Sequence, residues 1–264
     1  MKNNKHIGMW ACPRSRSTVT TRAFEQLDGC VVYDEPFSGA YLWHRSERFH
    51  LDKLTEDKRK EVESDHTKVI AKLTGELPEG ALFSFQKLST DLYLPEFGQE
   101  WILELNNFFL IRHPRDILLS FHRGLPHSEF DKQKEIDTEM IGIKLLYDIF
   151  KFLESTTGQT PLVISSDDVV KNPRNTLEWL CEYLGIEFHE KMLRWEAGLS
   201  SSSIDWIGSL DPSSDPWHAT LRNSQSFLPY KENTEPFPEE LLPQLEESTP
   251  YYEELWRHRH VFSD

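Results

Sequence analysis

The chain has 264 residues, 38% apolar, 12% aromatic and 28% charged. That excludes a disordered, collagen-like or low-complexity chain and is ample for a sizeable core. Lys and Arg number 29 against 44 Asp and Glu, a formal net charge of −15; a non-specific nucleic-acid binder needs the opposite balance. No apolar run reaches the length of a membrane span, the start lacks a signal-type apolar region, and Cys12, Cys30 and Cys181 have no metal-binding spacing. The expectation is a soluble, reduced, cytoplasmic protein with no structural metal, no nucleic-acid partner and no membrane partner, its oligomeric state left open.

In chain order, the apolar run 6–12 reads as a strand, PRSRST (13–18) as a tight polar loop, and Val19, Ala23, Phe24 and Leu27 as one face of a helix. CVVY (30–33) is a second strand, left through DEPFS (34–38); residues 51–73 read as a charged amphipathic helix and 80–85 as a third strand, with Gln86 and Lys87 following it. Phe108 to Ile111 has a buried-strand pattern, Pro114 opens a helix to about Phe121, and Gly124 suits its stop. A strong helical stripe covers 136–154, PLVIS (161–165) is a strand, and a helix runs from Asn172-Pro173 to Gly185. Residues 198–230, rich in Ser, Pro, Trp and Asp, read as a long functional loop, and the tail as a helix pair broken near Pro250. Strands alternating with helices over 1–264 predict a single α/β domain with a parallel sheet flanked by helices.

Two stretches carry chemistry. Up to Phe24 the chain holds Lys2, Lys5, Arg14, Arg16 and Arg22 and no carboxylate, against the sign of the whole protein. A strand-to-helix turn offers backbone N–H groups and the positive helix end; Ser15, Ser17 and Thr18 add hydroxyls, and Arg14 and Arg16 add forked donors suited to phosphate or sulfate. By itself the stretch reads equally as an anion cradle or as an ordinary helix cap with a solvated basic rim. A Walker loop is excluded, because no Gly-Lys pair precedes Ser17-Thr18, and so is a cysteine-phosphatase loop, because position 18, six after Cys12, is Thr. In the second stretch, IRHPRDILLSF (111–121), Arg112 ends a buried strand and Ser120 lies eight residues on, inside the next helix. There the strand end and the next helix face can converge on a second anion, but by itself the pair reads equally as one of the many Arg and Ser pairs that helix surfaces offer.

Together the two stretches resemble the hallmark motifs of sulfotransferases that use 3′-phosphoadenosine-5′-phosphosulfate (PAPS). The resemblance implies a P-loop-NTPase-like parallel α/β fold, with Ser15, Arg16, Ser17 and Thr18 holding the 5′-phosphosulfate and Arg112 and Ser120 the 3′-phosphate. It extends through DEPFS, SSDDVVKNPRNTL (165–177) and PYYEELWRHR (250–259) to bacterial small-molecule sulfotransferases, and is thin over 40–80 and 198–230. Within that group it resembles cyanobacterial natural-product tailoring enzymes, such as that of the cylindrospermopsin pathway. The implied reaction passes a sulfuryl group from PAPS to a hydroxyl or amine of a small molecule, leaves adenosine 3′,5′-bisphosphate (PAP), and requires no metal. Arg14 and Lys87 would stabilise the transferring group. Three departures stand out: Arg14 where many members have Lys, Arg16 where many have Gly, and no His in QKLSTDLYL (86–94) where many have one. The general base is accordingly open among Glu35, Asp91 and His218, each of which also reads as a loop cap, a turn former or a surface group. Asp167 and Asp168 read as bracing the helix after Pro173. Asp205, Trp206, Asp211, Asp215 and Trp217 suit a cationic secondary metabolite through ion pairs and cation–π contacts, or else simply anchor and turn the loop. The competing functions are a non-catalytic nucleotide or anion sensor and a nucleotide-dependent phosphoryl transferase on a related fold.

Overall fold

The computed structural model describes residues 5–54, 56, 63–128, 131–198, 217 and 219–262. Five parallel strands form one sheet: β1 (His6–Ala11), β2 (Cys30–Asp34), β3 (Phe83–Ser89), β4 (Asn106–Ile111) and β5 (Leu162–Ser165), in the order β2-β3-β1-β4-β5. The principal helices are α1 (Ser17–Glu25), α2 (Ser38–His44), α3 (His66–Thr74), α4 (Pro114–Gly124), α5 (Ile143–Thr157), α6 (Pro173–Leu184) and α7 (Leu242–Arg257).

The period-two alternation of a strand decides what each face buries. Ile7, Met9, Ala11, Phe108, Leu110 and Ile164 pack against α1 and α6, while Trp10, Phe109, Ile111 and Val163 on the other face meet α4, α5 and α7. With helices on both faces, the near-continuous apolar runs of β1 and β4 are accounted for. On the α1 face Phe85 stacks on Phe24 with ring centroids 4.1 Å apart and tilts against Phe108 at 6.2 Å.

Several expectations shift in detail. The third strand starts later and extends to Ser89, so Gln86 and Lys87 lie within it. A single charged helix over 51–73 is not found: Leu51–Lys53 is a separate turn, and α3 starts at His66 because the Asp65 side chain accepts a hydrogen bond from the Thr67 N–H. The stripe over 136–154 is two helices, Thr138–Ile141 and α5, parted by Gly142 at φ +68°. A Cβ there would stand 2.3 Å from Thr90 Oγ1, so both conformation and space demand glycine. The tail is one helix that runs through Pro250 rather than a broken pair. Gly124 does not stop α4 by adopting a left-handed conformation; its φ is −89°.

Phe85 is fully buried between aromatic neighbours. Phe85→Ala is expected to lower unfolding free energy by about 3–5 kcal/mol, read from urea midpoints at unchanged slope; a loss below about 1 kcal/mol would mean that this face is not a packed core.

Candidate active site

The carboxyl ends of all five parallel strands carry the candidate chemistry, the edge at which open α/β sheets bind ligands. After β1 the chain turns through Arg14 and Arg16, both left-handed, at φ 59° and 64°. Non-glycine residues seldom adopt this conformation; the only other one among the described residues is Glu35, at φ 52°, directly after β2. The turn is held from inside, where buried Ser15 donates its hydroxyl to the Cys12 carbonyl at 2.6 Å. Arg16 caps α1 without any side-chain hydrogen bond to the first turn, so those N–H groups stay available to an anion.

Arg112 leaves β4 beside this turn. Its Nη1 donates to the Arg14 carbonyl at 2.7 Å, and its Nε lies 3.7 Å from the Asp116 carboxylate. Burial, then the neighbouring Arg16 and Arg14 charges, lower its proton affinity to a pKa of about 10, against the pull of Asp116 and Asp167. A guanidinium so disfavoured is stabilised by an arriving anion. Arg14 reaches across to the second stretch: its Nε donates to Ser120 Oγ at 3.0 Å and its Nη1 to the Trp217 carbonyl at 3.1 Å. One cleft is lined by Arg14, Arg16, Ser17, Thr18, Arg112 and Ser120 together, closed by Phe227, Pro229, Tyr230 and Lys231. The two stretches therefore face a single cleft.

Lys87 sits in β3 in register with Met9 of β1 and Asp34 of β2. It lies on the α1 face, two residues from Phe85, and is only 2% exposed. Its Nζ lies 3.0 Å from Asp34 Oδ1 and 2.8 Å from Glu35 Oε1 and donates to Thr18 Oγ1 at 2.9 Å. Burial disfavours the ammonium, but the two carboxylates outweigh it and raise the lysine's proton affinity. Asp91 accepts a hydrogen bond from Ser89. Burial, then repulsion from Glu35, push its pKa up to about 7.

A second cavity lies beside the cleft and shares Arg14, Ser17, Thr18 and Trp217 with it. It contains Lys87, Glu35 and Asp91, and its far wall is Tyr41, Leu42, Phe49, Leu92, Phe121, Leu125 and Met140. Sequence reasoning missed this wall, which assembles from α2 and the segment after it, the turn beyond β3, α4 and the turn beyond it, and the short helix Thr138–Ile141. The bridge between Phe49 and Asp131 and the hydrogen bond from Lys132 N to Arg48 O, at 2.8 Å, tie two of these loops together.

One expectation changes. Arg16 forms an ion pair with Asp167, which also accepts a hydrogen bond from Tyr230 Oη at 3.2 Å, and the Arg16 guanidinium faces the Tyr230 ring at 5.6 Å. Asp167 therefore anchors the first loop instead of bracing the next helix; Asp168 keeps the bracing part, its carbonyl accepting from Thr176 Oγ1 at 3.1 Å. His218, Asp205, Trp206, Asp211 and Asp215 lie outside the described residues. No described group of His, Cys, Asp and Glu could hold a metal ion, and no described helix is long and apolar enough to cross a membrane.

Comparison with known proteins now bears on this geometry. A family model described as "Sulfotransferase domain" matches residues 5–241. Two Arabidopsis thaliana proteins, named branched-chain-amino-acid aminotransferase-like protein 2 and protein 1, are 30% and 28% identical over 253 and 254 residues. Each match covers 96% of this chain but only 41% and 42% of the relatives, which are much longer. Among solved structures, the "Sulfotransferase Domain from the Curacin Biosynthetic Pathway" aligns over 92% of this chain and 97% of its own, at 15% identity and a TM-score of 0.46. The "Sulfotransferase Domain from the Synechococcus PCC 7002 Olefin Synthase" aligns over 92% and 94%, at 16% identity and a TM-score of 0.44.

Asp91 supplies a pH test. Its carboxyl binds the proton more tightly folded than unfolded, where it titrates near 3.8 as a free aspartate does. The folded state thus holds the extra proton between about pH 4 and 7, and stability falls as pH rises through that window. The decline in melting temperature is expected to flatten in Asp91→Asn; an unchanged slope would show that Asp91 is not the group responsible.

Proposed function

The chain belongs to the sulfotransferase domain family, and on that footing we propose that it transfers a sulfuryl group from PAPS to a hydroxyl of a small molecule with a largely apolar body. The observation that carries this reading is the single cleft lined by both Arg14 to Thr18 and Arg112 with Ser120, opening onto a separate cavity. A doubly charged nucleotide needs two anion subsites in one cleft, and its acceptor needs a second chamber that meets the first at the transferred group.

In this reading the α1 N–H groups, Ser17 and Thr18 receive the 5′-phosphosulfate, and Arg112 and Ser120 the 3′-phosphate. Arg14, at the junction of the two chambers, and Lys87, bonded to Thr18 at that junction, face the bridging oxygen as its bond to sulfur breaks and negative charge moves onto the phosphate. Lys87 is already fixed by Asp34 and Glu35, so it reaches the transition state without reorganising. The acceptor hydroxyl gives up its proton as its oxygen bonds to sulfur. Asp91 is the base, because its pKa near 7 lies close to an operating pH at which it both accepts and releases a proton. Glu35 holds Lys87 and keeps the Asp91 pKa high. PAPS arrives already activated, and none of these steps asks for a metal.

The aromatic and aliphatic far wall supports an acceptor with an apolar body rather than a cationic one. Tyr41, Phe49, Phe121 and Trp217 offer broad apolar faces. The Arg48 charge beside them is neutralised by Asp137 and Glu139, at 3.3 Å and 3.0 Å.

A thermal-shift panel tests the donor. PAP is expected to stabilise the protein; stabilisation by ATP with magnesium instead would favour a phosphoryl transferase. Binding of PAP without turnover of PAPS on any alcohol or phenol would favour a sensor. Arg112→Ala is expected to weaken PAP binding by about 2–3 kcal/mol, the scale of a lost charge-assisted contact. Arg14→Ala is expected to slow turnover more than it weakens PAP binding; equal loss in both would contradict its transition-state role. In kcat/KM profiles the acid limb near pH 7 is expected to disappear in Asp91→Asn.

A further inference from the structure

Gly124 closes α4, and its backbone gives no reason for glycine: its φ of −89° suits any residue. Space gives the reason. A Cβ at 124 would stand 2.3 Å from Trp217 Cζ3 and 2.9 Å from both Cε3 and Cη2. The benzo ring of Trp217 thus rests directly on the α4 backbone, in the place a side chain would fill.

The seat fixes where the rest of the tryptophan goes. One turn earlier on α4, Phe121 meets the Trp217 ring edge-on, with centroids 5.7 Å apart. The Arg14 guanidinium lies 5.0 Å from the ring centroid, and Arg14 Nη1 donates to the Trp217 carbonyl at 3.1 Å. Ring and carbonyl of one residue therefore both hold Arg14, while Ser120, also on α4, takes its Nε. Trp217 is moreover one of the four residues shared by the cleft and the cavity. Its indole stands at the boundary between them.

We propose that Gly124 and Trp217 form a seat and a partition: the Gly124 notch sets Trp217 in place, and Trp217 in turn positions the Arg14 guanidinium and keeps water from the transferred sulfuryl group. The proposal rests on the sulfuryl-transfer reading above and adds two positioning residues to it. Its chemical consequence is a partition between two nucleophiles. With the indole seated, the acceptor oxygen attacks sulfur. With it displaced, water attacks: the water oxygen bonds to sulfur, the S–O bond to the 5′-phosphate breaks, and sulfate, PAP and the two protons of the water are released. A smaller gap at the boundary therefore means less wasted PAPS per sulfated product.

A double-mutant cycle tests this on the full chain. Gly124→Ala is expected to cut kcat with an alcohol or phenol acceptor by about tenfold or more, to leave PAP affinity within about threefold, and to raise acceptor-independent PAPS hydrolysis. Trp217→Ala should do the same. Trp217→Phe, which keeps an aromatic face over Arg14 but lacks the benzo ring, should lose less than Trp217→Ala. Adding Gly124→Ala to Trp217→Phe should then cost little, because the methyl no longer meets the indole. If Gly124→Ala is as harmful in the Trp217→Phe background as in the parent protein, or if it is harmless in the parent, the proposal is overturned. Equal losses in kcat and PAP affinity with no rise in hydrolysis would also overturn it, since that pattern marks general damage. The same cycle read as melting temperature needs no ligand: Gly124→Ala should lower it in the parent and much less in the Trp217→Phe background. Failure of PAP to bind the parent protein would sink the donor reading, whereas additive melting shifts would sink the seat, so the two failures are distinct.

Discussion

Three guanidinium groups, those of Arg14, Arg16 and Arg112, are held together at one edge of a sheet, inside a protein whose formal net charge is −15. Like charges at that density repel, and that repulsion adds to burial, the larger cause, in lowering the Arg112 pKa. The fold counters the repulsion piecemeal. Asp116 lies beside Arg112, Asp167 is paired with Arg16, and Arg14 spreads its charge over Ser120, the Trp217 carbonyl and an indole face. None of these contacts is a second arginine–carboxylate fork that would cancel the cluster outright. The three guanidinium groups still line one cleft together, where an anion of two or more charges can pair with more than one of them at once.

The same economy governs the opposite charge. Asp34 and Glu35 end β2 next to Lys87, and two carboxylates on one buried ammonium leave local negative charge to spare. Glu35 accepts a left-handed backbone to take up that position, a strain that is tolerated where surrounding structure over-determines it. Burial raises the proton affinity of Asp91 most, and the surplus at Glu35 adds to it. The neighbouring carboxylate thereby couples Asp91 to the lysine, so a substitution at Glu35 acts on two groups at once.

Much of this was legible in the sequence because the motifs are local. The first loop lies within six residues, Arg112 and Ser120 are separated by one strand end and two helical turns, and the alternation of strands and helices forces all of them to one sheet edge. The third strand reads as ending at Phe85 because Gln86 and Lys87 are polar, yet both are buried: Gln86 donates to Ser84 Oγ and to the Leu73 carbonyl, and Lys87 pairs with Asp34 and Glu35. The helix over 136–154 broke at Gly142 because of Thr90, a residue about 50 positions away that no local window includes. The acceptor wall was illegible for the same reason. Tyr41, Phe49, Phe121 and Met140 carry no shared motif, and only tertiary packing gathers them.

The glycines make the distinction sharper. Gly142 could be suspected from sequence as a helix interruption, since its backbone is one that only glycine adopts easily. Gly124 read as a helix stop, and the stop is indeed nearby, but the physical reason differs: the residue is small so that an indole from 93 positions further on can lie against the backbone. Gly142 is bound by its own φ as well as by the approach of Thr90, so shrinking Thr90 alone would not release it. A glycine kept for space is tied to one partner. Shrinking that partner releases it, and that dependence turns a packing detail into a statement about which residues hold Arg14 where both chambers meet.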